Sequence, residues 1–326
     1  MSVFAPLVGQ EQAVELLTQA VKRQRIAPAY LFTGPPGIGR GLAARCFIEL
    51  LFQDHTSPVP GIPSGDHTPL QRRIHQGNHP DLLWVEPTYL HQGKRLSAQE
   101  ANEAGLKRKT PPQIRLEQIR EISQFLARPP LEASRSVVVL EQAETMAEAT
   151  ANGLLKTLEE PGKATLILIA PTLDSLLPTL ISRCQRIPFI RLDRTGMSRV
   201  LGKLGYGEII AVTEIMAMAQ GSPGEAIRYW QQLQQMPAEL LEKIRKPVTT
   251  LTQALKLAKE ISQTLEPESQ LWLIDYWQHR DWQQQYQSGY FQRERSQIWE
   301  KARRHLLSYV QPRLVWEVTL MAIATG

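Results

Sequence analysis

Two segments of this sequence carry residue types that could handle a phosphate group. Gly34-Pro35-Pro36-Gly37-Ile38-Gly39-Arg40-Gly41 has the G-x-x-x-x-G frame of a loop whose backbone N–H groups cradle phosphate oxygens. Phosphoryl transfer at such a loop works by positioning and charge neutralisation, so it needs a Lys at the β and γ phosphates and a Ser or Thr hydroxyl on Mg²⁺. Positions 40 and 41 supply Arg and Gly instead. Arginine keeps the charge on a longer, planar fork, and glycine offers no oxygen ligand. Magnesium-dependent hydrolysis is therefore not expected here, which leaves a relic or weak anion site beside a plain glycine turn. The second segment, Val137-Val138-Val139-Leu140-Glu141-Gln142, is an apolar run ending where hydrolytic sites place two carboxylates, one for Mg²⁺ and one to activate water. The Gln142 amide cannot accept that proton, and Glu141 alone could be a solvated strand-end charge. Gly34, Gly37, Gly39, Arg40, Glu141 and Gln142 are thus the candidates for a degenerate nucleotide site with weak or no binding.

The elements that must position these residues follow from hydrophobic spacing. Val14, Leu16, Leu17, Ala20 and Val21 recur at helical intervals, and Ala29-Tyr30-Leu31-Phe32 reads as a buried strand before the glycine loop. Leu42, Ala43, Cys46, Phe47, Leu50 and Leu51 form one apolar helix face behind it, so the loop joins a strand to a helix. Leu82-Leu83-Trp84-Val85, Val137-Val138-Val139-Leu140 and Leu166-Ile167-Leu168-Ile169 are short continuous apolar runs, as expected for strands of a buried parallel sheet. Thr145-Met146-Ala147-Glu148 has capping-box spacing and predicts a helix from there to Pro161, with Ala151, Leu154, Leu155 and Leu158 on its apolar face. Residues 53–70 and 91–113 are polar and rich in turn formers, and read as loops or insertions. Strand and helix alternate to about residue 188, which predicts a doubly wound α/β domain. Later residues show helical periodicity and no strand run. The expected domains are 1–189, α/β; 190–235, a small helical domain; and 236–326, a helical C-terminal domain holding Trp272, Trp277, Trp282, Trp299 and Trp316, read as core aromatics.

Composition bounds the remaining choices. With 326 residues, 37 Lys plus Arg against 32 Asp plus Glu leave a net charge of +5, which suits an anionic partner without requiring one. Two cysteines, Cys46 and Cys184, cannot build a disulfide framework or a four-cysteine zinc site. No apolar run approaches a membrane span and no signal-peptide core forms, so a cytoplasmic protein is expected. The basic stretches Lys107-Arg108-Lys109 and Lys301–Arg304 with Arg313 read as solvated faces rather than DNA contacts.

The run Asn152-Gly153-Leu154-Leu155-Lys156-Thr157-Leu158-Glu159-Glu160-Pro161, followed by Leu180-Ile181-Ser182-Arg183-Cys184, resembles the AAA+ clamp-loader subunits of bacterial DNA polymerase III. Arg25-Ile26-Ala27-Pro28-Ala29-Tyr30-Leu31-Phe32 and Asn78-His79-Pro80-Asp81-Leu82 extend the resemblance over most of residues 7–188, and Gln311-Pro312-Arg313-Leu314-Val315-Trp316-Glu317 is similar to the final collar helix of these subunits. Within the group the delta-prime type fits best. Its phosphate loop is decayed, and Gly224 in Gly221-Ser222-Pro223-Gly224 stands where an ATPase member carries its second sensor arginine.

The resemblance implies an AAA+ fold with a small helical lid and a helical collar. It also implies a non-catalytic subunit of a hetero-oligomer that helps load the sliding clamp onto primed DNA. Arg183 would be the finger presented to a neighbour's ATP, since a fixed guanidinium fork can bind γ-phosphate oxygens bidentately. Implied partners are the ATPase subunits, the delta subunit and, through the complex, the clamp and primer-template DNA. No nucleotide of the chain's own is expected. An active ATPase subunit with an atypical loop is the alternative. Relatives commonly carry a four-cysteine zinc module that residues 48–78 lack; His55, His67, His75 and His79 match no zinc spacing, so no structural zinc is expected.

Overall fold

The structure is a computed structural model and describes residues 3–53, 68–104, 111–159, 162–289, 292–308 and 310–325. The chain divides into two compact units, Met1–Leu204 with Gly221–Gly224, and Gly205–Gln220 with Glu225–Gly326. The boundaries expected after residues 189 and 235 follow a change of sequence pattern, whereas these units follow spatial contact.

The first unit runs α1 (Glu11–Lys22), β1 (Ala29–Thr33), α2 (Arg40–Gln53), α3 (Pro69–His75), β2 (Leu82–Val85), β3 (Tyr89–His91), β4 (Lys94–Leu96) and α4 (Ala98–Glu103). It continues with α5 (Leu116–Leu126), β5 (Ser136–Leu140), α6 (Glu148–Glu159), β6 (Ala164–Ala170), α7 (Pro178–Ile181), β7 (Gln185–Pro188) and α8 (Arg194–Lys203). Five strands form a parallel sheet in the order β2-β5-β6-β1-β7. Every residue of β5 and β6 is buried, which is why both read as unbroken apolar runs: a strand covered on both faces has no solvent side to alternate toward. Leu31, Val138, Leu140, Leu166 and Leu168 of the sheet pack with Leu154 and Leu158 of α6 in one core. Glu141 follows β5 and the glycine loop follows β1, so both lie at the carboxyl edge of the sheet, where open α/β folds place ligands.

Three local readings are corrected. Strand β7 was not anticipated, because an edge strand needs only one buried face and here only Ile187 is buried. Residues 91–113 are not merely loop: β3 and β4 form an antiparallel hairpin, followed by α4. Gln92 and Gly93 have φ of 49° and 78°, the positive pair that a two-residue I′ turn demands. The capping box at Thr145 does not form. The Thr145 hydroxyl donates back to the Gln142 carbonyl at 2.8 Å, closing a 3₁₀ turn over Ala143–Thr145, and α6 begins at Glu148. Glu160 and Pro161 lie outside the described residues.

The second unit is helical among its described residues, with α9 (Thr213–Ala219), most of α10 (Pro223–Gln235), α11 (Ala238–Arg245), α12 (Leu251–Thr264), α13 (Pro267–Ser288), α14 (Arg293–Leu307) and α15 (Pro312–Thr325). Trp272, Trp277, Trp299 and Trp316 are buried, and the Trp277 ring lies 5.3 Å from Trp299 and 5.7 Å from Trp316. Trp282 departs from the core reading: it is 53% exposed and stacks on Tyr286. Buried Asp281 accepts hydrogen bonds from Arg295 Nε at 2.8 Å and Trp299 Nε1 at 2.6 Å, satisfying polar groups the aromatic core would otherwise strand. Among the described residues no helix is long and apolar enough to cross a membrane.

Candidate functional site

The glycine loop is held by backbone at its start and in its middle. Gly34 has φ of 154°, and a Cβ there would sit 2.6 Å from the Phe189 carbonyl oxygen, so only glycine fits between β1 and the segment after β7. In the middle, residues 221–224 close on the loop. The Ser222 hydroxyl donates to the Pro36 carbonyl at 2.7 Å, and the Gly224 amide donates to the Gly37 carbonyl at 2.9 Å. A Cβ on Gly224 would come within 2.6 Å of the Gly37 Cα, so the approach requires glycine there. Gly224→Ala is therefore expected to destabilise the chain by about 2 kcal/mol, a typical overpacking cost. Urea unfolding checks it; an unchanged midpoint would mean that the loop and the 221–224 segment part without penalty.

Beside this loop opposite charges stand near one another. Burial pushes the Arg40 guanidinium down from its ordinary range, while Glu144 and Glu141 push it back up. Burial raises the Glu144 carboxyl, opposed by its own backbone hydrogen bond and by Arg40. Glu86 is raised by burial and then by Glu141, and lowered by Arg45. Arg45 in turn lies over the Trp84 ring, 4.3 Å from its centre. Glu141 is no solvated strand end: it is half-buried and accepts Trp84 Nε1 at 2.9 Å. Arg40 Nη1, Arg45 Nε and Glu144 Oε2 are buried without a hydrogen-bond partner among the described residues. A Cβ on Gly41 would have ordinary contacts, 3.7 Å to Arg45 Nη1 and 3.8 Å to Glu141 Oε1, but the position carries no oxygen. Gln142 is exposed in the left-handed region and presents an amide. The six sequence candidates lie at one sheet edge, with no hydroxyl at position 41 and an amide at position 142 where magnesium-nucleotide hydrolysis uses a carboxylate. Arg45, Glu86, Glu144 and Ser222 were missed. Arg45 had a signal, five residues past Arg40 on one helix, and Ser222 lies in the 221–224 run singled out by the resemblance; Glu86 and Glu144 join only through the fold.

Arg183 follows α7, apart from the loop. Its side chain is 38% exposed; Nη1 donates to the Thr179 carbonyl at 3.0 Å and Nη2 to Glu159 Oε1 at 2.8 Å. Burial pushes the neighbouring Cys184 thiol up to about 11, leaving it an apolar filler rather than a nucleophile. His79 is buried, with Nδ1 accepting the Asp81 amide at 3.2 Å. No group of three or more His, Cys, Asp or Glu able to hold a metal occurs among the described residues, and His55 and His67 lie outside them. Lys107–Lys109 also lie outside; Arg303 pairs with Asp275 and Arg313 with Glu317.

Comparison with known proteins adds the lineage of this arrangement. Residues 9–193 match the family model described as DNA polymerase III, delta subunit, and residues 195–323 that of the cyanobacterial DNA polymerase III delta prime C-terminal domain. DNA polymerase III subunit delta' of Pseudomonas aeruginosa is 31% identical over 268 residues, covering 80% of this chain and 74% of that protein. The delta' subunit of Bacillus subtilis is 31% identical over 183 residues, 55% of this chain and 47% of its own length. The tau/gamma subunit of Haemophilus influenzae is 29% identical over 67% of this chain and 29% of its own. In fold, the chain is similar to a gamma subunit-related protein of Thermotoga maritima, with a TM-score of 0.53, 16% identity, and coverage of 96% and 99% of the two chains.

Proposed function

From the premise that the chain belongs to the delta-prime family of DNA polymerase III clamp-loader subunits, we propose that it is a non-catalytic member of the loader. It presents Arg183 to the ATP site of a neighbouring subunit. The observation that carries this reading is the glycine loop itself. Gly41 supplies no ligand for Mg²⁺, Gln142 no base, and Gly224 is hydrogen-bonded to Gly37 where a nucleotide-responsive arginine would otherwise stand. Two carboxylates, Glu141 and Glu144, face the single guanidinium of Arg40, so the site has no net positive charge to offer a triphosphate. ATP is then bound by the partner subunits.

Arg183 suits the complementary role because its guanidinium is partly exposed and held by two acceptors. The second unit supports assembly: Leu251, Leu255, Leu314 and Val318 leave apolar surface exposed on α12 and α15, as expected of a collar that packs against its equivalents. ATPase subunits and the delta subunit are the direct partners in this reading, and the clamp and primer-template DNA are reached through the complex. It places the chain in the cytoplasm with the replication machinery.

Steady-state phosphate release by the isolated chain tests the central claim. No turnover above background is expected, with or without Mg²⁺, and no saturable binding of a fluorescent ATP analogue. A turnover near one per second, typical of slow catalysts, that persists through purification and disappears in Arg40→Ala would instead establish the active-ATPase alternative.

A further inference from the structure

We infer that Glu159 is the positioning residue for Arg183, aiming its guanidinium before a neighbouring site closes on it; this rests on the reading of Arg183 as a finger. Glu159 is the last described residue of α6, a helix anchored in the core through Ala151, Leu154 and Leu158. It takes Nη2 of Arg183 at 2.8 Å, while the carbonyl of Thr179, on α7, takes Nη1 at 3.0 Å. The Ser182 hydroxyl donates to that same carbonyl at 3.0 Å, tightening the turn from which the arginine projects.

The two ends of the fork are therefore tied to two different helices, so the guanidinium plane is set by the fold rather than by its own four torsions. A guanidinium has five N–H donors, and these two bonds leave Nε–H and one hydrogen on each Nη for phosphate oxygens. With side-chain exposures of 38% and 53%, the pair lies at the surface, where an ion pair adds little to stability. Its effect belongs to aim: an arginine already oriented loses less freedom on engaging phosphate, and misplacement of a charged group by about 1 Å can cost about 100-fold in rate.

The test is made in the reconstituted loader with clamp and primed DNA, comparing Glu159→Ala, Glu159→Gln, Arg183→Ala and the double variant Glu159→Ala/Arg183→Ala. Glu159→Ala is expected to lower kcat at the served site by about tenfold with KM for ATP unchanged, and to leave the melting temperature of the chain unchanged. Glu159→Gln keeps an acceptor oxygen and should hold the rate within about threefold of the parent. In the Arg183→Ala background, Glu159→Ala should have no further effect. If Arg183→Ala slows the loader while Glu159→Ala leaves the rate unchanged or raises it, Glu159 does not aim the finger and the inference fails alone. If Arg183→Ala itself has no effect, the finger reading fails and this inference with it.

Discussion

Arg183→Ala is expected to assemble normally and to stop catalysis in a site that this chain does not itself contain. The substitution removes a partly exposed side chain whose contacts are Glu159 and the Thr179 carbonyl, so the sheet core and the helical second unit are untouched. Gel filtration of the reconstituted complex should therefore be unchanged. At the ATP site proposed to face this residue, loss of the guanidinium would leave the charge spread over the γ-phosphate oxygens without its fixed counter-charge, an effect worth about 10³- to 10⁵-fold in rate. In the proposed arrangement one of several ATP sites in the ring faces Arg183, so ensemble ATPase should fall only part way, whereas clamp loading that needs every site to fire should fall further. Both are read in one preparation with clamp and primed DNA. Unchanged rates in both assays would reduce Arg183 to a surface arginine.

Asp81→Ala is expected to be the most destabilising single substitution proposed for this chain, at about 3 kcal/mol. Asp81 is 2% exposed, and its carboxylate accepts the amides of Leu131 at 2.7 Å, Glu132 at 2.8 Å and Ala133 at 2.7 Å. It thereby ties the start of β2 to the loop leading into β5. Alanine leaves three backbone donors unmatched, and each partly buried orphan costs about 1 kcal/mol or more. The anchor also has a pH signature. Burial pushes the Asp81 carboxyl up, but the three amides and His79 together more than offset it, so it titrates below the ordinary range in the folded chain. A depressed folded value means that the stabilisation is complete above the unfolded carboxylate value, about 4, and drains away as pH falls through the folded one. The gap between parent and Asp81→Ala in urea midpoint should accordingly be widest near neutrality and narrow in acid. A gap that is constant with pH would show that the lost contribution is packing rather than charge.

What the sequence determined by itself lies mostly in short windows. Val137–Leu140 and Leu166–Ile169 announced their strands because burial on both faces demands an unbroken apolar run, and burial depends on residue type rather than on a particular partner. The missing ligand at Gly41 and the missing base at Gln142 were equally legible, since chemistry absent from a side chain is absent in any fold. The tertiary structure alone decided the partners of the polar groups. Thr145 had the spacing of a cap, but its hydroxyl found the Gln142 carbonyl. Asp81 found amides some 50 residues away, Arg183 a carboxylate 24 residues back, and Gly224 the carbonyl of Gly37. A hydrogen bond needs donor and acceptor within about 3 Å and nearly in line. No local pattern encodes that meeting between distant segments; it is fixed only when the apolar core brings them to the same place.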